Sequence, residues 1–229
     1  MTTDFFNRKS WGIKCLSLLL ATAFFAVVHY SVVLIRKEKI LLEKYFCFAV
    51  STSTHIEAST HTVSSQGGAG YLLSFKNKDY VAYAVYFSEE EGVKVETSLL
   101  EMGEEVFLLK KKVDVLYLTK RKDKEKATIY QNAFNALYAI MQALQVEITR
   151  LEEGATQSSS KEVIRFLSGY LQYLFKKYDS GYSTYAKLCK QSGEQLSVYL
   201  KNTIYAKDLR YEVCRLADGY LQLASAFSL

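Results

Sequence analysis

Three histidines, four cysteines and one acidic cluster are the groups in these 229 residues whose types could do chemistry. His55 and His61 flank Glu57 in "THIEASTH", but their spacing matches no standard zinc arrangement, and no Cys-x-x-Cys pair occurs. His29 lies inside an apolar run and reads as an interfacial residue, not as a proton relay. Cys15, Cys47, Cys189 and Cys214 read as ordinary buried thiols, with a Cys189–Cys214 disulfide left open as the one plausible pairing in the body. Glu89, Glu90 and Glu91 directly follow Ser88, which is how a helix begins rather than how an acid/base pair is built. A Ser-His-Asp arrangement would need a histidine in a firm element, and none is in sight. Gly67-Gly68-Ala69-Gly70 permits a close backbone approach, yet a phosphate cradle would need a lysine and a following helix, and a strand pattern follows. The expectation is no catalytic residue, no metal and no cofactor.

The elements that must position any site begin with an apolar segment. Residues 15–35 carry no formal charge for 21 positions, between Lys14 and Arg36, which suits a bilayer span. Trp11 and Tyr30 would mark its two interfaces. The run is longer than a signal-peptide core and lacks a clear small-residue cleavage site. Basic residues fall on both sides of it, and the short basic tail before it predicts a signal anchor with the body outside the cytoplasm. The net charge of +5 is modest and is partly spent flanking this segment, so no nucleic-acid partner is expected. The run "KRKDKEK", Lys120 to Lys126, mixes bases with acids and reads as a solvated turn; contact with headgroups or an anionic polymer is its alternative.

The chain is 49% hydrophobic overall, contains no proline and uses 18 tyrosines, which favours long helices ended by glycine and half-buried aromatic surfaces. Residues 36–58 read as a juxtamembrane segment and Ser/Thr-rich linker. "GYLLSF" and "YVAYAVYFS" flank "KNKD" as a hairpin, with Val81, Tyr83, Val85 and Phe87 on one strand face. Ser88 caps a helix that Gly103 ends, and "EVFLLK" and "VDVLYL" supply two more strands. From Lys124 the period changes. Tyr130, Phe134, Leu137, Met141, Leu144, Ile148 and Leu151 alternate four and three apart as a heptad seam. Ser159-Ser160-Lys161-Glu162 looks like a capping box for a second helix, and residues 184–227 hold one or two more. The predicted fold class is α+β: a tail over 1–10, a transmembrane helix over 11–35, a small sheet with one covering helix over 59–119, and an antiparallel helical bundle over 120–229.

The stretch "YVAYAVYFSEEEGVKVETSLLEMGEEVFLL" resembles the first βαβ half of the sporulation-related repeat (SPOR) domain. The parts that carry the resemblance are the aromatic strand "VAYAVYFS", the Ser88-Glu89-Glu90 helix start, Leu99, Gly103 and "EEVFLL", with Gln66, Gly67 and Gly68 similar to the family's Gln-Gly motif. The match covers roughly residues 60–118. It implies a ferredoxin-like sheet that binds peptidoglycan glycan strands in bacterial division or sporulation. By analogy Gln66, Gly67, Gly68, Tyr71 and Tyr86 would face the glycan. The expected protein is therefore a non-enzymatic, single-pass envelope protein with membrane and peptidoglycan as partners. The alternative is a membrane-tethered scaffold that meets a protein partner or itself through Tyr130, Phe134, Leu137, Met141 and Leu144.

Overall fold

The computed structural model describes residues 39–52, 55–117, 124–178 and 182–226. The 11–35 segment lies outside the described residues, and no helix among those described is long and apolar enough to cross a membrane.

Four strands form one antiparallel sheet: β1 (Lys39–Ser51), β2 (Tyr71–Phe75), β3 (Lys78–Tyr86) and β4 (Val106–Tyr117), in spatial order β2-β3-β1-β4. Two helices connect them, α1 (Ile56–Ser65) between β1 and β2, and α2 (Glu89–Glu101) between β3 and β4. Each of these connections passes over one intervening strand, so β1-α1-β2 and β3-α2-β4 interlock. Four longer helices follow: α3 (Lys124–Glu152), α4 (Gln157–Tyr178), α5 (Ser183–Tyr199) and α6 (Ala206–Ala226). The protein is thus α+β with a C-terminal helical region.

Local chemistry explains the short elements. Lys76 and Asn77 both take positive φ (49° and 60°) in a two-residue hairpin closed by the Phe75–Lys78 pair, as expected for "KNKD". The Ser88 hydroxyl accepts from the Glu91 N–H at 3.2 Å, capping α2. Gly103, at φ 85°, ends that helix, and the Glu104 N–H reaches back to the Leu99 carbonyl at 2.9 Å.

Several expectations are corrected. The supposed linker over 36–58 contains β1, which pairs with both β3 and β4, and the start of α1. "EVFLLK" and "VDVLYL" are one strand, β4, long enough to run the whole length of β1. The second capping box begins earlier: α4 starts at Gln157, and the Thr156 hydroxyl accepts from the Ser159 N–H at 3.3 Å. On β3 the faces change partway along. The pairing shifts between Ala49–Ala84 and Val50–Ala82, leaving Tyr83 as the extra residue of a bulge. Val81 and Tyr83 consequently pack with α1 and α2, while Val85 and Phe87 pack with the C-terminal helices. Cys189 and Cys214 are buried free thiols.

The sheet is covered on both sides rather than by one helix. Ala49, Val63, Val81, Tyr83 and Val106 form a small core under α1 and α2. The larger core joins Phe46, Phe48 and Val50 of β1 to α3 and α6. At its centre the Phe46 ring meets Phe87, Tyr138 and Tyr220 at centroid distances of 6.0, 5.8 and 5.1 Å. The helical region therefore shares the core of the sheet it follows. Helices α4 and α5 pack tightly against each other at Gly193, whose carbonyl accepts from the Ser168 hydroxyl at 2.8 Å.

Candidate functional site

The quoted 80–109 stretch is β3-α2-β4, the second of the two interlocked units, and the Gln-Gly pair lies in the α1–β2 turn. Gly67 takes φ 90° there, where a left-handed backbone ends α1, and the Gly68 N–H returns to the Val63 carbonyl at 2.9 Å. A Cβ on Gly68 would stand 2.6 Å from the Val63 side chain, so this position is set by packing. The Gln66 amide donates to Glu104 at 2.5 Å, and the same carboxylate accepts from the Tyr83 hydroxyl at 2.7 Å.

Tyr71 and Tyr86 do not lie open on the sheet. The Tyr71 hydroxyl donates to Asp218 of α6 at 2.9 Å, and its ring packs edge-on to Tyr211 at 5.3 Å. Burial, reinforced by Asp218, raises the Tyr71 phenol above its ordinary range. Burial likewise pushes Tyr86 up to about 12, against the pull of Arg210. Arg210 straps three elements together: it donates to the Gly67 carbonyl at 2.7 Å and pairs with Glu152 at the end of α3. The seam residues Phe134, Leu137, Met141 and Leu144 are buried in the chain's own core, and Tyr130 packs on Tyr182 at 4.4 Å.

A different place gathers polar groups. Where the end of α1, the end of α5 and the start of α6 meet, a cleft of about 400 Å³ is lined by Ser64, Gln195, Tyr199, Lys207, Asp208, Tyr211, Glu212 and Arg215, among others. Glu212 forms its floor at 0% exposure. One Glu212 oxygen takes both the Arg215 Nε (3.2 Å) and Nη2 (2.6 Å), and Nη2 also donates to the Ser192 hydroxyl at 3.0 Å. The other oxygen, Oε1, has no partner. Burial raises the Glu212 carboxyl to about 7 despite Arg215 beside it. At the rim, Asp208 Oδ2 accepts from the Tyr205 N–H at 3.3 Å, at the start of α6. Sequence reasoning passed over this place, though it left a signal. Leu209, Glu212, Val213 and Leu216 follow the apolar spacing of α6, with a carboxylate in the stripe.

Among the described residues no three His, Cys, Asp or Glu side chains gather as metal ligands. These features define a class: an α+β sheet domain whose second face is closed by its own helical tail. No protein-family model, curated protein or solved structure matches the chain.

Proposed function

We propose that this is a non-enzymatic, membrane-anchored bacterial envelope protein whose sheet domain, ferredoxin-like and related to the SPOR domain, binds peptidoglycan, with its body outside the cytoplasm. The observation that carries the reading is the β-α-β-β-α-β order with strands arranged 2-3-1-4, which is the ferredoxin-like arrangement. The Ser88 cap and the Gly103 stop of α2 are local features that the resemblance names, although they lie in the second βαβ unit and not in the first. The apolar run ends at Ile35 and β1 starts at Lys39, so the tether reaches at most about 14 Å and holds the body at the bilayer surface. The test is sedimentation of the full-length chain, in detergent, with purified peptidoglycan, intact and stripped of stem peptides. Cosedimentation that survives stripping supports the reading; a chain that stays in the supernatant with both removes it.

One observation favours the scaffold reading. On the outer face of α4, Phe166 is 71% and Tyr173 54% exposed, and with Tyr170 their rings run nearly parallel at 6.3 and 6.0 Å. Such a row is available to a partner in a way the buried α3 seam is not. Strictly monomeric behaviour in ultracentrifugation, with no crosslinked partner in membranes, would sink this alternative.

A further inference from the structure

The sheet residues that the resemblance assigns to a glycan are already engaged. Tyr71 is bonded to Asp218 on the face that α3 and α6 cover, and Tyr86 packs on the opposite face against the small core under α1 and α2. A glycan would have to displace packed helices on either face to reach them, α3 and α6 over Tyr71 and α1 and α2 over Tyr86. The cleft beside the α1–β2 turn needs no such rearrangement.

Its chemistry is mixed in a way that narrows the ligand. Tyr199 and Tyr211 supply aromatic surface, and Tyr211 is steadied from behind by Tyr71. Lys207, Gln195 and Ser64 offer donors, while Asp208, Gln195 and Ser64 offer acceptors. A simple anion would meet Asp208 and the Glu212 floor, and a simple cation would meet Lys207 and Arg215. A sugar ring avoids both conflicts, because it presents an apolar face to an aromatic ring and hydroxyls that each donate and accept. The buried Glu212–Arg215–Ser192 set fixes the floor before any ligand arrives. The cleft volume lies within the range of small-molecule sites.

We propose that this cleft is the saccharide site: an N-acetylated hexosamine unit packs against Tyr199 and Tyr211 while its hydroxyl and amide groups bond Lys207, Gln195 and Asp208. The assignment rests on the wall-binding reading but moves its contact from the sheet to the junction of α1, α5 and α6.

The test uses the full-length chain in detergent with chitotetraose as probe, by titration calorimetry, alongside peptidoglycan sedimentation. The paired change Lys207→Ala and Gln195→Ala should weaken chitotetraose binding about tenfold, the cost of one or two hydrogen bonds. Its thermal midpoint should match the parent's, and Phe166→Ser, on the far face of α4, should bind as the parent does. Chitotetraose binding unchanged in the paired variant, or absent in the parent, overturns the cleft assignment. If peptidoglycan still sediments the chain in that case, wall binding survives elsewhere on the molecule. If instead chitotetraose binds in the cleft and peptidoglycan does not sediment the chain, the site stands and the wall reading falls.

Discussion

The Tyr71 hydroxyl donates to the Asp218 carboxylate at 2.9 Å across 147 residues of sequence, tying edge strand β2 to the last helix. Asp218 also accepts from Gln222 at 3.0 Å, so the carboxylate keeps one partner if Tyr71 loses its hydroxyl. Tyr71→Phe should therefore cost about 1–2 kcal/mol, in the range of a hydrogen bond to a charged group and without a stranded charge. Urea unfolding of Tyr71→Phe, Asp218→Asn and the double variant should show coupling of about 1 kcal/mol. Additive effects would mean that the bond does not hold the tail on the sheet.

Gly92 sits where α2 crosses β1. A Cβ added there would collide with Cys47 Sγ and lie 3.1 Å from Cys47 Cβ. Gly92→Ala should destabilise by about 2 kcal/mol through overpacking, and Cys47→Ala should rescue it by making room. Gly169 on α4 has nothing within 4 Å of its would-be Cβ, so Gly169→Ala should stabilise by about 0.5–1 kcal/mol. Thermal unfolding of the four variants separates backbone propensity from packing.

The legible parts of the fold are those whose causes are local. Ser88, Gly103 and the Lys76-Asn77 turn act within a few residues, so sequence alone locates α2 and the hairpin. Strand β1 was hidden because both its partners lie far along the chain, and because Glu43, at φ 47°, makes a bulge between Leu41 and Lys44 that breaks the alternation. Helix α1 was hidden for another reason. Its Ser59 and Thr60 hydroxyls bond back to the His55 and Ile56 carbonyls, and Val63, buried against β3, fixes a Ser/Thr-rich segment that propensity would leave open. The cleft depends on three elements meeting, which no spacing rule reports; only Glu212 within the α6 stripe hinted at it.

The α3 seam gives a direct contrast between internal packing and a partner surface. Leu144 is fully buried beneath the chain's own helices, while Val146, two residues on, is 61% exposed. Leu144→Ala should cost about 2–5 kcal/mol in the protein by itself, and Val146→Ala should stay within about 0.5 kcal/mol. Equilibrium unfolding at two protein concentrations measures both, and a Leu144→Ala cost that depends on concentration would return the seam to a role between chains.

Glu212 makes stability depend on pH with a defined sign. Burial pushes its folded carboxyl up to about 7, well above the ordinary 4.5 of a glutamate, so between those values the folded state holds a proton that the unfolded chain has released. Folding is then favoured at the acid end of this window, and stability should fall as pH rises from about 4.5 toward 7 and level off above it. Asp208, raised by burial in the same cleft, adds in the same direction at lower pH. Glu212→Gln keeps the shape and the contact to Arg215 while removing the titration, so its stability should lose most of this slope and exceed the parent's above pH 7. Denaturant unfolding at half-unit pH steps from 5 to 8 would show it. A parent curve that is instead flat through this window, with no slope for Glu212→Gln to remove, would mean that Arg215 holds Glu212 ionised in the folded protein, and the floor of the cleft would then be a permanent ion pair.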